Sequence, residues 1–131
     1  MSVCILLVDD SPEILELLTL SYHARDDVRV VGKARNYDDA VKLLGSTVVD
    51  VISIDVHMGQ FTGFDLCRTV RRARPDVFIT MCSGDANFAA KQLAESCGAH
   101  YYLEKPIDFE RIDRMLQVYN DWITVPSRAQ G

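Results

Sequence analysis

Five short runs rich in Val and Ile recur along this chain: VCILLV from Val3, VRVVGK from Val28, VDVISI from Val49, VFITMC from Val77 and HYYLE from His100. Longer stretches with helical periodicity separate them, so the chain reads as five βα units. Near-continuous apolar strands, such as 3–8 and 77–82, suit a parallel sheet buried on both faces. Helices must then cover both sides, which makes the fold class α/β and doubly wound. Ser11-Pro12, Asn36 and Asp108 mark helix starts. Gly45 and Gly98 are expected as left-handed caps, and Pro75 closes the run RTVRRAR. Ile14, Leu17 and Leu18, and later Phe109, Ile112, Leu116 and Tyr119, recur at helical spacing and are expected to face the core.

A chain of 131 residues, 48% hydrophobic, has room for one ordinary domain. Its formal charge of −5 argues against a general attraction to nucleic acid or anionic lipid. No apolar run approaches the roughly 18 residues of a membrane span, and the start MSVCILLVDD lacks a basic secretory n-region. A cytoplasmic setting is expected, with Cys4, Cys67, Cys82 and Cys97 as reduced thiols, since they form no CxxC pair. Arg68, Arg71, Arg72 and Arg74 crowd the third helix; without interleaved aromatics they read as a solvated face, and no direct nucleic-acid contact is expected.

The chemistry gathers at strand ends. Asp9 and Asp10 follow ILLV, Asp55 follows VISI, Ser83 follows FITMC and Lys105 follows YYLE. In an alternating chain these ends line one edge of the sheet, where ligands bind. Two unit charges about 4 Å apart repel by roughly 4 kcal/mol at an effective dielectric of 20, so three carboxylates call for a compensating cation. All-oxygen ligation suits Mg²⁺, which keeps waters and accepts phosphate, and Mn²⁺ is the alternative. Lys105 can meet phosphoryl oxygens, and the Ser83 hydroxyl can donate to one of them. There is no glycine-rich phosphate cradle, so the phosphoryl group must come from a donor other than a bound nucleotide.

In their order and spacing, LLVDD at 6–10, Asp55 at the end of a buried strand, Ser83-Gly84 and Lys105-Pro106 resemble the receiver domain of two-component response regulators. The resemblance covers the chain from about Val3 to about Ile123. It implies a CheY-like, flavodoxin-like sheet of order 2-1-3-4-5 flanked by five helices. Residues 1–123 would be a single-domain receiver, and 124–131 a tail or the start of a linker. Asp55 would accept a phosphoryl group from a sensor histidine kinase or a histidine phosphotransfer protein. Mg²⁺ would be held by Asp10, Asp55 and the His57 backbone carbonyl, with Asp9 acting through water. Lys105 would pair with the phosphoryl oxygens, and the Lys105-Pro106 bond would be cis. Ser83 and Tyr102 would be the switch residues, changing the surface of the fourth helix, fifth strand and fifth helix for a downstream protein target.

The chain also departs from the family pattern. Gly59 stands where receivers carry proline, so a more mobile loop or a different turn is expected beside His57. His57 and Asp85 occupy the positions that tune phosphoryl lifetime in receivers. A switch, monomeric or dimerising on phosphorylation, is the leading expectation, without enzymatic turnover. Trp122 and Tyr101 are either a dimer face or packing against the sheet or the tail. The alternatives are a Mg²⁺-dependent aspartyl-phosphate phosphatase or phosphotransferase, and a receiver-like module working without phosphorylation. Against the first, such enzymes place a carboxylate two residues after the nucleophile, where this chain has His57.

Overall fold

The computed structural model describes residues 2–58, 62–84 and 88–124. Five strands, β1 (Val3–Val8), β2 (Val28–Ala34), β3 (Val51–Asp55), β4 (Phe78–Ser83) and β5 (Tyr101–Glu104), alternate with five helices. These are α1 (Pro12–His23), α2 (Tyr37–Ser46), α3 (Gly63–Ala73), α4 (Phe88–Ser96) and α5 (Phe109–Thr124). The strands pair in parallel in the order β2-β1-β3-β4-β5, as expected. All strand carboxyl ends therefore lie along one edge.

Period-two alternation divides the core in two. Ile5, Leu7, Val51, Phe78 and Leu103 pack with Leu15, Leu18 and Tyr22 of α1 and with Ile112, Met115 and Leu116 of α5. On the other face Leu6, Val8, Ile52, Ile54, Ile79 and Met81 pack with Ala40 and Leu44 of α2, Leu66 and Val70 of α3 and Ala94 of α4. Trp122 joins the first cluster, its ring centroid 5.4 Å from Phe78 and 4.7 Å from His100, so it packs against the sheet. Tyr101 packs against that cluster too.

The marked caps form. The Ser11 hydroxyl accepts from the Ile14 N–H (3.3 Å), Asn36 Oδ1 from Asp39 (2.8 Å) and Asp108 Oδ1 from Arg111 (2.9 Å). Gly98 is left-handed, at φ 101°, but Gly45 lies inside α2, because that helix runs one residue beyond it before Thr47 turns extended. Two core expectations also fail. The buried stripe of α1 is Leu15, Leu18 and Tyr22, which leaves Leu17 60% exposed, and Phe109 at the start of α5 is 64% exposed beneath the Arg25 guanidinium. The last turn of α5 extends through Thr124, and the rest of the expected tail lies outside the described residues. Of the basic run on α3, Arg68 pairs with Asp65 (3.2 Å) and Arg74 with Asp76 (3.1 Å). Among the described residues no helix is long and apolar enough to cross a membrane.

Candidate functional site

The strand ends bring Asp9, Asp10, Asp55, Ser83 and Lys105 to one edge. Asp9 and Asp10 continue from β1, Asp55 and Ser83 are the last residues of β3 and β4, and Lys105 follows β5. One carboxylate oxygen from each of Asp9, Asp10 and Asp55 lies within 4.8 Å of the others. Asp9 and Asp55 are buried, whereas Asp10 is exposed, so the cluster opens to solvent on the Asp10 side.

Each side chain is fixed by its neighbours. Asp9 uses one oxygen to accept the Ser11 N–H (3.0 Å), and its other oxygen is 3.5 Å from Lys105 Nζ. The same ammonium lies 3.5 Å from Asp55 Oδ1. The Lys105 N–H donates to the Ser83 carbonyl (2.8 Å), which ties the ends of β4 and β5, and the Lys105-Pro106 peptide is cis. Ser83 itself is buried.

The electrostatics show an excess of negative charge. Burial pushes the Asp55 carboxyl above the usual range and the charge of Asp9 adds to this; Lys105 and the His57 backbone N–H oppose it without cancelling it. Burial works to depress the Lys105 ammonium, but Asp55 and Asp9 outweigh it and hold its pKa above the ordinary value. Among the described residues, one ammonium stands with three carboxylates, which leaves a site whose donor set suits a hard divalent cation. Burial drives the thiol of Cys82, beneath the pocket, up to about 12, and that of Cys67, in the α3-side core, likewise, so both stay protonated.

The remaining expected residues are less central. The side chain of His57 is exposed, and its backbone N–H meets the Asp55 carboxylate. Asp85 and Gly59 lie outside the described residues. Tyr102 is half-buried on the α4 side of β5, with the Lys91 ammonium 5.9 Å from its ring centroid. Sequence reasoning had no reason to single out Lys91 and Glu104, whose side chains meet across α4 and β5 at 2.7 Å. It also gave no role to Gly63, where an added Cβ would stand 2.1 Å from the Asp55 carbonyl oxygen. A glycine opening a helix carries no signal that a strand end passes so close.

Comparison with known proteins agrees with this geometry. Residues 5–117 match the family model described as the response regulator receiver domain. The chain is 31% identical over 124 residues to the heme response regulator HssR of Staphylococcus saprophyticus, covering 92% of this chain and 54% of that protein. A protein-glutamate methylesterase/protein-glutamine glutaminase of Syntrophus aciditrophicus is 31% identical over 104 residues, which are 78% of this chain and 30% of that protein. The chain thus spans about half or less of the curated relatives it matches. Among solved structures, the chemotaxis protein CheY4 of Vibrio cholerae superposes with TM-score 0.78 at 28% identity, over 89% of this chain and 98% of that one. A LuxR-family two-component response regulator from Aurantimonas gives TM-score 0.85 at 23% identity, over 92% and 87%, and speaks for the fold alone. With the family model spanning most of the chain and the acidic pocket at the matching strand ends, the protein belongs to the response regulator receiver domain family.

Proposed function

We propose that this receiver is a phosphorylation-dependent switch in a two-component or phosphorelay system, with Asp55 as the phosphoacceptor. The observation that carries this reading is the single ammonium of Lys105 reaching Asp9 and Asp55 at 3.5 Å each, with Asp10 in the same cluster. In the transfer, the phosphorus–nitrogen bond of a phosphohistidine on a kinase or phosphotransfer protein breaks. A bond from phosphorus to an Asp55 oxygen forms, and the freed imidazole nitrogen takes up a proton. Lys105 meets the charge that arrives, and Ser83 turns its hydroxyl to a phosphoryl oxygen. Mg²⁺, or Mn²⁺, held by Asp10, Asp55 and the His57 carbonyl, with Asp9 through water, would neutralise charge on the phosphoryl oxygens. His57 and Asp85 would tune phosphoryl lifetime.

Output follows from charge. A phosphoryl group adds about −1.5 to −2 charges, draws Ser83 and Lys105 toward Asp55 and shifts the population of two states, with Tyr102 as the aromatic reporter. The α4-β5-α5 surface then engages a downstream protein, as a monomer or through phosphorylation-dependent dimerisation. In this reading residues 1–123 form the receiver, 124–131 begin a tail or linker, and the setting is the cytoplasm. The methylesterase relative lends no activity to this reading, because the match takes only 30% of that protein.

Stoichiometry separates a switch from a turnover enzyme. With a small acyl phosphate and Mg²⁺, the switch takes up one phosphoryl group per chain and releases phosphate slowly, at the decay rate of that adduct. Rapid release of many phosphates per chain, through an adduct that breaks down too fast to accumulate, would show a phosphatase instead.

A further inference from the structure

Tyr102 and Glu104 sit two residues apart in β5 and so share the face that looks toward α4, while Leu103 points into the α1/α5 core. One α4 side chain meets both. The Lys91 ammonium lies 2.7 Å from Glu104 Oε1 and stands over the Tyr102 ring. Glu104 is also bound into the pocket's frame. It pairs with Ser83 in the β4·β5 ladder and directly precedes Lys105, whose N–H donates to the Ser83 carbonyl. A cavity of about 240 Å³ between α4 and β5, bordered by Ala94, Ala99 and Tyr102, leaves room beside the ring.

We propose that Lys91 and Glu104 are positioning residues that restrain phosphoryl uptake: their ion pair holds Tyr102 and the end of β5 in the arrangement seen here. The inference rests on Asp55 being the phosphoacceptor. Drawing Lys105 and Ser83 toward a phosphoryl group moves the strand end that carries Glu104, and turning the Tyr102 ring requires the ammonium above it to leave. Both changes loosen the same contact. Breaking the pair beforehand favours the rearranged state, and reciprocity then favours whatever binds that state. The pair is largely solvent-exposed, so the expected effect is small, about two- to fivefold.

General electrostatics makes a different prediction, and this gives the test its edge. Donor and phosphoryl group are anionic, so loss of a nearby cation should slow uptake and loss of a nearby anion should speed it. A restraining pair predicts the same sign for both losses. The experiment measures phosphorylation rate with an acyl phosphate in Mg²⁺, and the dissociation constant of beryllofluoride, for wild type, Lys91→Met, Glu104→Gln and the double variant. Methionine keeps the helical stem of Lys91.

Uptake about two- to fivefold faster in each single variant, tighter beryllofluoride binding by a similar factor and a double variant no faster than the singles is the expected result. Rates that move in opposite directions, singles that add, or no change in any variant would overturn the inference and leave Asp55 as acceptor untouched. A wild type that takes up neither phosphoryl group nor beryllofluoride would overturn the Asp55 reading and this inference with it.

Discussion

At the scale of single residues, the pocket is costly to fold. Asp55 is buried beside Asp9 and shares one ammonium with it, so two like charges face each other across one counter-charge. Asp55→Asn is expected to raise stability in metal-free buffer by on the order of 1 kcal/mol, since it removes one of two facing like charges. Urea denaturation in the presence of a chelator checks this, and a lower midpoint would contradict it. Gly63 works in the opposite sense. Its Cα lies against the Asp55 backbone, and a Cβ would stand 2.9 Å from the Asp55 carbonyl carbon as well as closer still to its oxygen. Gly63→Ala should cost about 1–3 kcal/mol through overpacking, read in the same urea curves, and an unchanged midpoint would contradict it. The five pocket residues were legible in the sequence because strand ends carry them and topology gathers strand ends. Gly63 and Lys91 were not, because close backbone approach and helix-to-strand reach are properties of the packed state.

At the scale of elements, strand identities and most caps follow from local pattern, whereas the rotation of a helix depends on what it meets. The α1 stripe settles on Leu15, Leu18 and Tyr22 because Tyr22 fills space beneath the sheet, and this turns Leu17 outward. Phe109 is outside for a related reason, covered by an Arg25 guanidinium 5.0 Å from its ring centroid. Arg25 links the end of α1 to α5, donating to Asp27 (3.0 Å) and to Asp113 (3.2 Å). The hydrogen bond from Arg25 holds the Asp27 carboxyl below its usual range, against slight burial. A depressed carboxyl contributes stability that is present above its unfolded pKa and lost as pH falls through the folded value. Arg25→Met should therefore unfold at lower temperature near neutral pH, with a gap to wild type that narrows in acid below the usual carboxylate range. Asp27 is largely exposed, so its share of the gap is small. Thermal unfolding across pH tests this, and a constant gap would assign the loss to packing over Phe109.

At the scale of the whole molecule, the order 2-1-3-4-5 puts β1, β3, β4 and β5 side by side, and so makes one site out of residues nearly a hundred positions apart, Asp9 and Lys105. The excess negative charge of that site and its single ammonium underlie the reading of a metal-assisted phosphoacceptor. Intact mass after incubation with a small acyl phosphate, with and without Mg²⁺, tests it most directly in wild type and Asp55→Asn. Addition of one phosphoryl group, dependent on Mg²⁺ and absent in Asp55→Asn, is the predicted result. An unmodified wild type that still binds Mg²⁺ and releases no phosphate, or an adduct that persists in Asp55→Asn, would contradict it.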